Sequence, residues 1–318
     1  MKPRNSFIAL TGGLGNQLFQ LAAVLTLTPN NYITYDALLG RPRLNVEGLP
    51  EVSSYHLPYK IQRLARSKFS WLASKSIGYQ LRKGINPKPI EKMPMFSFVT
   101  KLLSLFPLMS YFKNFTWPII SSNIGFNEVH VRNENNLFIG YFQSYKWVSE
   151  PETLEIFQNL QIKNSSLELE RYREFSLLEK PLVVHVRLGD YVGHNNFGIP
   201  DPEYFSGAIT EILSRGVAEK IWLFSDDLEN AASYLSGIDR SIIRLIPEVD
   251  NSASTTLEVM RLGHAYVISN STFSWWGAFL AHKANVEIIA PLPWFKSMPE
   301  PIELIPPHWT RRVAWPNG

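Results

Sequence analysis

Short apolar runs alternate with helical ones through the second half of this chain, and few folds accept that pattern. Leu182-Val183-Val184-His185-Val186 is apolar without alternation, as a strand buried on both faces must be. Asp201-Pro202 sets an N-cap followed by proline at the first helical position, leading a helix to about Ser214. Ile221–Phe224 then reads as strand, Leu228–Leu235 as helix, Ile242–Ile246 as strand and Ser254–His264 as helix. Ala265–Ser269 follows as strand, Phe273–His282 as helix and Val286–Ala290 as a last strand. That order implies a parallel sheet covered by helices on both faces.

The first half opens in a related way. Ser6–Leu10 is strand-like, Thr11-Gly12-Gly13-Leu14-Gly15 is a turn, and Leu18, Phe19, Leu21, Ala22 and Leu25 repeat at helical spacing until Pro29 stops them. The apolar run here is too short for a signal peptide. Tyr32–Tyr35 and Leu137–Tyr141 read as further strands, and the pattern between them is weakly helical. Polar Gln161–Glu179 reads as the boundary. The expected organisation is therefore a domain over 1–165 and a second over 166–318.

In a parallel sheet, ligands bind beyond the carboxyl ends of the strands. Three polar clusters fall there: His185-Val186-Arg187-Leu188-Gly189-Asp190, Phe224-Ser225-Asp226-Asp227, and Ser269-Asn270-Ser271-Thr272-Phe273-Ser274. Together they offer one permanent cation, hydroxyls at a helix start, and carboxylates. Arginine's fork fits phosphate, and a helix N-terminus suits an anion. Asp226 has the acceptors to read a base edge such as guanine. The sum predicts a nucleotide-diphosphate pocket.

Composition narrows the chemistry. The chain has no cysteine, which excludes disulfides, thiolate zinc sites and thiol nucleophiles and suits a cytoplasmic setting. No run approaches 20 apolar residues, so no membrane span is expected. His56, His130, His194, His264, His282 and His308 have no metal-ligand spacing, and no metal or other cofactor is expected. The net charge of +3 is too small to point to nucleic acid. Charge is unevenly placed, however. Residues 61–120 hold ten Lys and Arg against one acid, Glu91, which gives +9 there and −6 elsewhere. Trp71, Tyr79, Phe96 and other aromatics interleave with those charges. The segment reads as a basic helical insertion with a solvated face, or as a surface that meets a phosphate-bearing acceptor or makes peripheral contact with anionic membrane.

Gly12-Gly13-Leu14-Gly15-Asn16-Gln17-Leu18-Phe19-Gln20, Gly140-Tyr141-Phe142-Gln143-Ser144, the His185–Asp190 and Phe224–Asp227 stretches, and Ser269-Asn270-Ser271-Thr272-Phe273-Ser274-Trp275-Trp276-Gly277 together resemble glycosyltransferase family 11, the α-1,2-fucosyltransferases. Each motif alone is weak, but their order along the chain makes the resemblance specific. It implies an α/β, GT-B-like fold of two Rossmann-type domains facing a central cleft. It also implies GDP-fucose as donor, a galactose-terminated glycan as acceptor, no catalytic metal, and inversion at the fucose anomeric carbon. The 1–165 domain would then be the acceptor side and 166–318 the donor side.

The resemblance assigns roles residue by residue. Arg187 matches the arginine on the donor β-phosphate, His185 a histidine beside the nucleotide, and Asp226 the acid that reads guanine. Asn270, Ser271, Thr272 and Ser274 belong to the phosphate-holding loop. Asn16 matches a residue facing the transferred sugar, with Gly13 and Gly15 in the same turn. Leu188 stands where many members carry a second arginine. Asp190, sharing the Arg187 loop, is the candidate base for the acceptor hydroxyl or else only orients Arg187. Two other classes stay open: a metal-dependent sugar-nucleotide transferase using Asp226 and Asp227, and a non-catalytic glycan-binding module.

Overall fold

The structure, a computed structural model, describes residues 6–28, 32–35, 41–58, 60–63, 119–120, 125–126, 136–193 and 196–316. The chain divides into two units: Met1–Gln161 with Pro301–Leu304, and Ile162–Glu300 with Ile305–Gly318.

The first unit holds five described strands, β1 (Ser6–Ile8), β2 (Tyr32–Tyr35), β3 (Lys60–Arg63), β4 (Ile119–Ile120) and β5 (Asn136–Ile139). All pair in parallel, in the order β3-β2-β1-β5-β4. Helix α1 (Leu14–Leu27) follows β1 and is buried over most of its surface. Leu18, Leu21 and Leu25 bury one stripe, while Phe19, Ala23 and Val24 are buried on the other side. A helix buried on opposite sides is an interior helix. It ends at Thr28, whose side chain and backbone N–H both return to the Val24 carbonyl, one residue before Pro29. Two short helices, α2 (Tyr145–Ser149) and α3 (Pro151–Gln158), follow β5. The expected basic insertion, and any membrane contact through it, lies outside the described residues except at 61–63 and 119–120, which are strand.

Helix α4 (Leu167–Glu179) opens the second unit. It occupies most of the polar tract expected to be a boundary. Only Leu169, Tyr172 and Ser176 are buried, a single narrow stripe, so its sequence is as polar as a linker's. Then come β6 (Pro181–Val186), α5 (Pro202–Ser214), β7 (Lys220–Ser225), α6 (Leu228–Ala231), β8 (Ile243–Ile246), α7 (Ala253–Met260), β9 (Ala265–Val267), α8 (Thr272–Phe279), β10 (Glu287–Leu292) and β11 (Thr310–Val313). The strand order is β11-β10-β9-β6-β7-β8, all parallel. That is the doubly wound nucleotide-binding order, which reverses direction between β6 and β9. β11 extends the sheet beyond the strand expected to be last. Its Thr-Arg-Arg-Val sequence is half-exposed and carries no apolar run. The core centres on Leu182, Val184 and Val186 of β6, packed with Ile221, Leu223, Phe205, Ile209 and Ile212.

Two parallel α/β units in one chain are the content of a GT-B-like protein. Among the described residues no helix is long and apolar enough to cross a membrane.

Candidate functional site

In the second unit the loops after β6, β7 and β9 meet at the carboxyl edge. This is where the strand order reverses and where such sheets bind ligands. Arg187 lies just past β6 and is held by two carboxylates. Its Nε and one terminal nitrogen reach Asp190 Oδ1 at 3.2 and 2.6 Å, and its other terminal nitrogen reaches Asp226 Oδ2 at 3.0 Å. Asp226 Oδ1 accepts the Leu188 backbone N–H at 2.9 Å. Arginine has five N–H groups, so one on each terminal nitrogen remains beyond these contacts. Gly189 makes the arrangement possible: a Cβ there would stand 2.0 Å from Asp226 Oδ2. Asp190 is 70% exposed, against 22% for Arg187.

Tyr191, which sequence reasoning passed over, braces the same loop. The Arg187 guanidinium lies 5.8 Å from its ring centroid, its hydroxyl donates to the Asn270 carbonyl at 3.1 Å, and its ring stacks on Phe197 at 5.0 Å. Burial raises its phenol above the ordinary range, so it stays a neutral donor. Asn270 gives its amide hydrogens to the Phe197 and Gly198 carbonyls, both at 3.0 Å, and its own Oδ1 is buried with no partner among the described residues.

His185 is buried in β6 with Nδ1 2.9 Å from Ser269 Oγ. Burial, reinforced by the Arg187 charge, pushes its pKa down to about 3. The imidazole is therefore neutral at physiological pH. A buried base held below its ordinary value of 6.5 leaves the unfolded chain binding the extra proton between about pH 3 and 6.5. Stability rises with pH wherever the unfolded state binds more protons. Replacing His185 with Asn should flatten that part of the acid slope, read as the difference in melting temperature between pH 5 and pH 7. An unchanged slope would mean His185 titrates normally.

The third loop caps α8. Ser271 Oγ accepts the Phe273 N–H at 3.3 Å, and Ser274, fully buried, donates its hydroxyl to the Ser271 carbonyl at 3.2 Å. These two hydroxyls fix the helix start, at the positive end of the helix dipole. Thr272 is the first residue of that helix. Trp275 and Trp276 are wholly buried, Trp275 stacking on Phe279 at 4.6 Å. Asp227 differs in its work from Asp226: its carboxylate caps α6 through the Asn230 backbone and side chain.

Asn16, Gly13 and Gly15 belong to the first unit and form a separate cluster. The loops after β1 and β5 flank another reversal of strand order there. Gly13 is the N-cap of α1, and Asn16 lies over Gly12, whose φ of 73° requires glycine. Two buried amides missed by sequence reasoning lock the turn. Gln17 donates to the Gly12 and Arg43 carbonyls and accepts from Val52. Gln20 donates to Ala9 and Gly140 and accepts from Thr11, tying both loops together. From the β5 side, Gln143 donates to Asn16 Oδ1 at 2.9 Å. Its neighbour Phe142 has φ 53°, which is rare for a bulky residue, and its buried ring packs between Phe138 and Trp147.

Comparison with known proteins gives the family. Glycosyl transferase family 11 matches residues 122–300, more than half the chain. The chain belongs to that family. Two curated relatives are from Escherichia coli. An alpha-1,2-colitosyltransferase is 29% identical over 167 residues, covering 50% of this chain and 56% of its own. The O-antigen biosynthesis glycosyltransferase WbnK is 25% identical over 306 residues, covering 91% of this chain and 94% of its own. The chain thus spans little more than half the length of the colitosyltransferase. Among solved structures, a NodZ alpha-1,6-fucosyltransferase co-crystallized with GDP is similar at 14% identity, 87% and 92% coverage and TM-score 0.43. POFUT1 in complex with GDP-fucose is similar at 15% identity, 86% and 93% coverage and TM-score 0.42. The family match takes in Gln143, the Arg187 loop, Asp226 and the Ser271 cap. The Asn16 turn lies outside it.

Proposed function

We propose that this family 11 member transfers L-fucose from GDP-fucose to the 2-hydroxyl of a terminal β-galactoside, in the assembly of an O-antigen or similar surface polysaccharide. The observation that carries the reading is the Arg187 clamp at the strand-order reversal of the second unit. A diphosphate leaving group gathers negative charge as the glycosidic bond breaks. Donors fixed in advance where that charge develops stabilise the transition state. Arg187 keeps two N–H groups for the β-phosphate, and the start of α8 adds backbone donors. Asp226 has a lone pair to spare on each oxygen after gripping Arg187 and Leu188, which suits the N–H edge of guanine. Asp190 grips Arg187 side-on, which supports the orienting role of the two open for it. His185, neutral and buried, shapes the nucleotide pocket without adding charge.

The O-antigen setting is supported by the relative WbnK, and a deoxy-sugar donor by the colitosyltransferase. A metal-bridging acidic pair is disfavoured by the separate partners of Asp226 and Asp227.

Mass spectrometry of products tests the reading. The purified chain is offered GDP-fucose or GDP-colitose with a panel of terminal β-galactosides, with and without excess EDTA. A fucosylated galactoside formed equally in EDTA is expected. Turnover with GDP-colitose alone would replace the donor. Loss of turnover in EDTA would restore the metal-dependent reading, and GDP binding without turnover would favour a glycan-binding module.

A further inference from the structure

We infer that Gln143 Oε1 accepts a hydrogen bond from a pyranose hydroxyl, in a sugar subsite at the strand-order reversal of the first unit. The inference rests on the glycosyl-transfer reading above and adds a specificity-determining residue to it. Gln143 is 7% exposed. Its Nε2 is committed to Asn16, while Oε1 is buried without a partner among the described residues. A buried acceptor left unmade costs its desolvation, so something outside the described contacts must supply a donor.

Water can supply that donor until a ligand binds, and a ligand that displaces it must bring a donor of its own. Phosphate and carboxylate oxygens bring acceptors and would repel Oε1. A hydroxyl brings a donor and also accepts, which matches a pair of neutral side-chain amides. Sugar substrates bring hydroxyls, either on the transferred fucosyl ring or on the acceptor galactose.

The placement agrees. Gln143 reaches Asn16 across the gap between the loops after β5 and β1, where the order β2-β1-β5 reverses. Parallel sheets open their ligand crevice at such a point. The amide is also held rigidly. Phe142 turns the chain in the left-handed region with its ring buried against Phe138 and Trp147, and Gln20 anchors the Gly140 carbonyl at 2.7 Å. Backbone strain of this kind collects where a side chain must be aimed.

The test is a kinetic comparison of the wild type with Gln143→Met, which keeps the volume and removes the amide. The kcat/KM is measured separately for GDP-fucose and for a galactoside acceptor, and GDP affinity is measured by calorimetry. A fall of about tenfold to hundredfold is expected for the sugar that is contacted, with GDP affinity unchanged. Monodeoxy acceptors and GDP-colitose separate the two sources. The analogue lacking the contacted hydroxyl should lose a similar factor with the wild type and little more with the variant. The monodeoxy acceptors and GDP-colitose carry the test with the wild type alone should Gln143→Met fail to fold. Equal kcat/KM for both substrates, or a loss that ignores which hydroxyl is missing, would overturn the assignment and leave the transferase reading intact. A wild type that binds no GDP and transfers nothing overturns both.

Discussion

Arg187→Ala should lower kcat by about 10²–10³, the scale of losing one preorganised transition-state donor. The clamp explains why the loss is large. Arg187 is the shared partner of Asp190 and Asp226, so its removal leaves two carboxylates facing the position proposed for the β-phosphate. The site then changes from one cation between two anions to two anions alone. Arg187→Lys should restore little. An ammonium is a compact charge without a planar fork, and it cannot meet Asp190, Asp226 and a phosphate at once. Steady-state turnover of GDP-fucose with a β-galactoside reads the effect, with circular dichroism to show that the fold persists. Near wild-type turnover in Arg187→Ala would remove the clamp from the mechanism.

Much of the second unit was legible in the sequence, for a physical reason. Its strands are buried on both faces, so β6 and β7 appear as unbroken apolar runs, and the loops at their ends stand out as polar by contrast. Of the two partners of Arg187, Asp190 was legible as a neighbour in sequence and Asp226 was not. That Asp226 would grip Arg187 depends on the register of β6 against β7, where His185 pairs Phe224 and Val186 pairs Ser225. Parallel pairing of residues 39 apart leaves no local mark. Helix α4 and strand β11 were missed because each buries too little apolar surface to impose a period. Gln143 lay inside a recognised motif, yet its use was hidden. An amide's bonds are set by what folds against it, and Asn16 lies 127 residues away. Tyr191 was hidden likewise, because its hydroxyl answers to Asn270 on another strand's loop.

The largest stability effect is expected far from the reacting atoms, at Glu258. This carboxylate is 3% exposed and takes both oxygens to Arg261, itself 2% exposed, at 2.7 and 2.9 Å. The Arg261 Nε donates to the Leu280 carbonyl at 2.8 Å, and the Arg261 carbonyl accepts the His282 N–H at 2.9 Å. The pair therefore ties the end of α7 to the end of α8, the helix whose other end carries the Ser271 cap. Removing one partner of a buried ion pair strands the other charge, at a cost of about 3–5 kcal/mol. Glu258→Gln should lower the melting temperature by roughly 10 °C for a unit of this size. Replacing both residues with apolar side chains of similar volume should cost less than the single change, because no charge is then left behind. The pH dependence has a definite sign. Burial alone would raise the Glu258 carboxyl, but His282 and Arg261 outweigh it and hold the group below its ordinary 4.5. A depressed carboxyl stabilises the fold above the unfolded value, and that contribution is lost as pH falls through the lower folded one. Acid melts of the wild type should thus steepen below about pH 4.5, and Glu258→Gln should lack that component. Should Glu258→Gln melt with the wild type at neutral pH, the pair contributes nothing to holding α8, and the Ser271 cap must be positioned by the sheet alone.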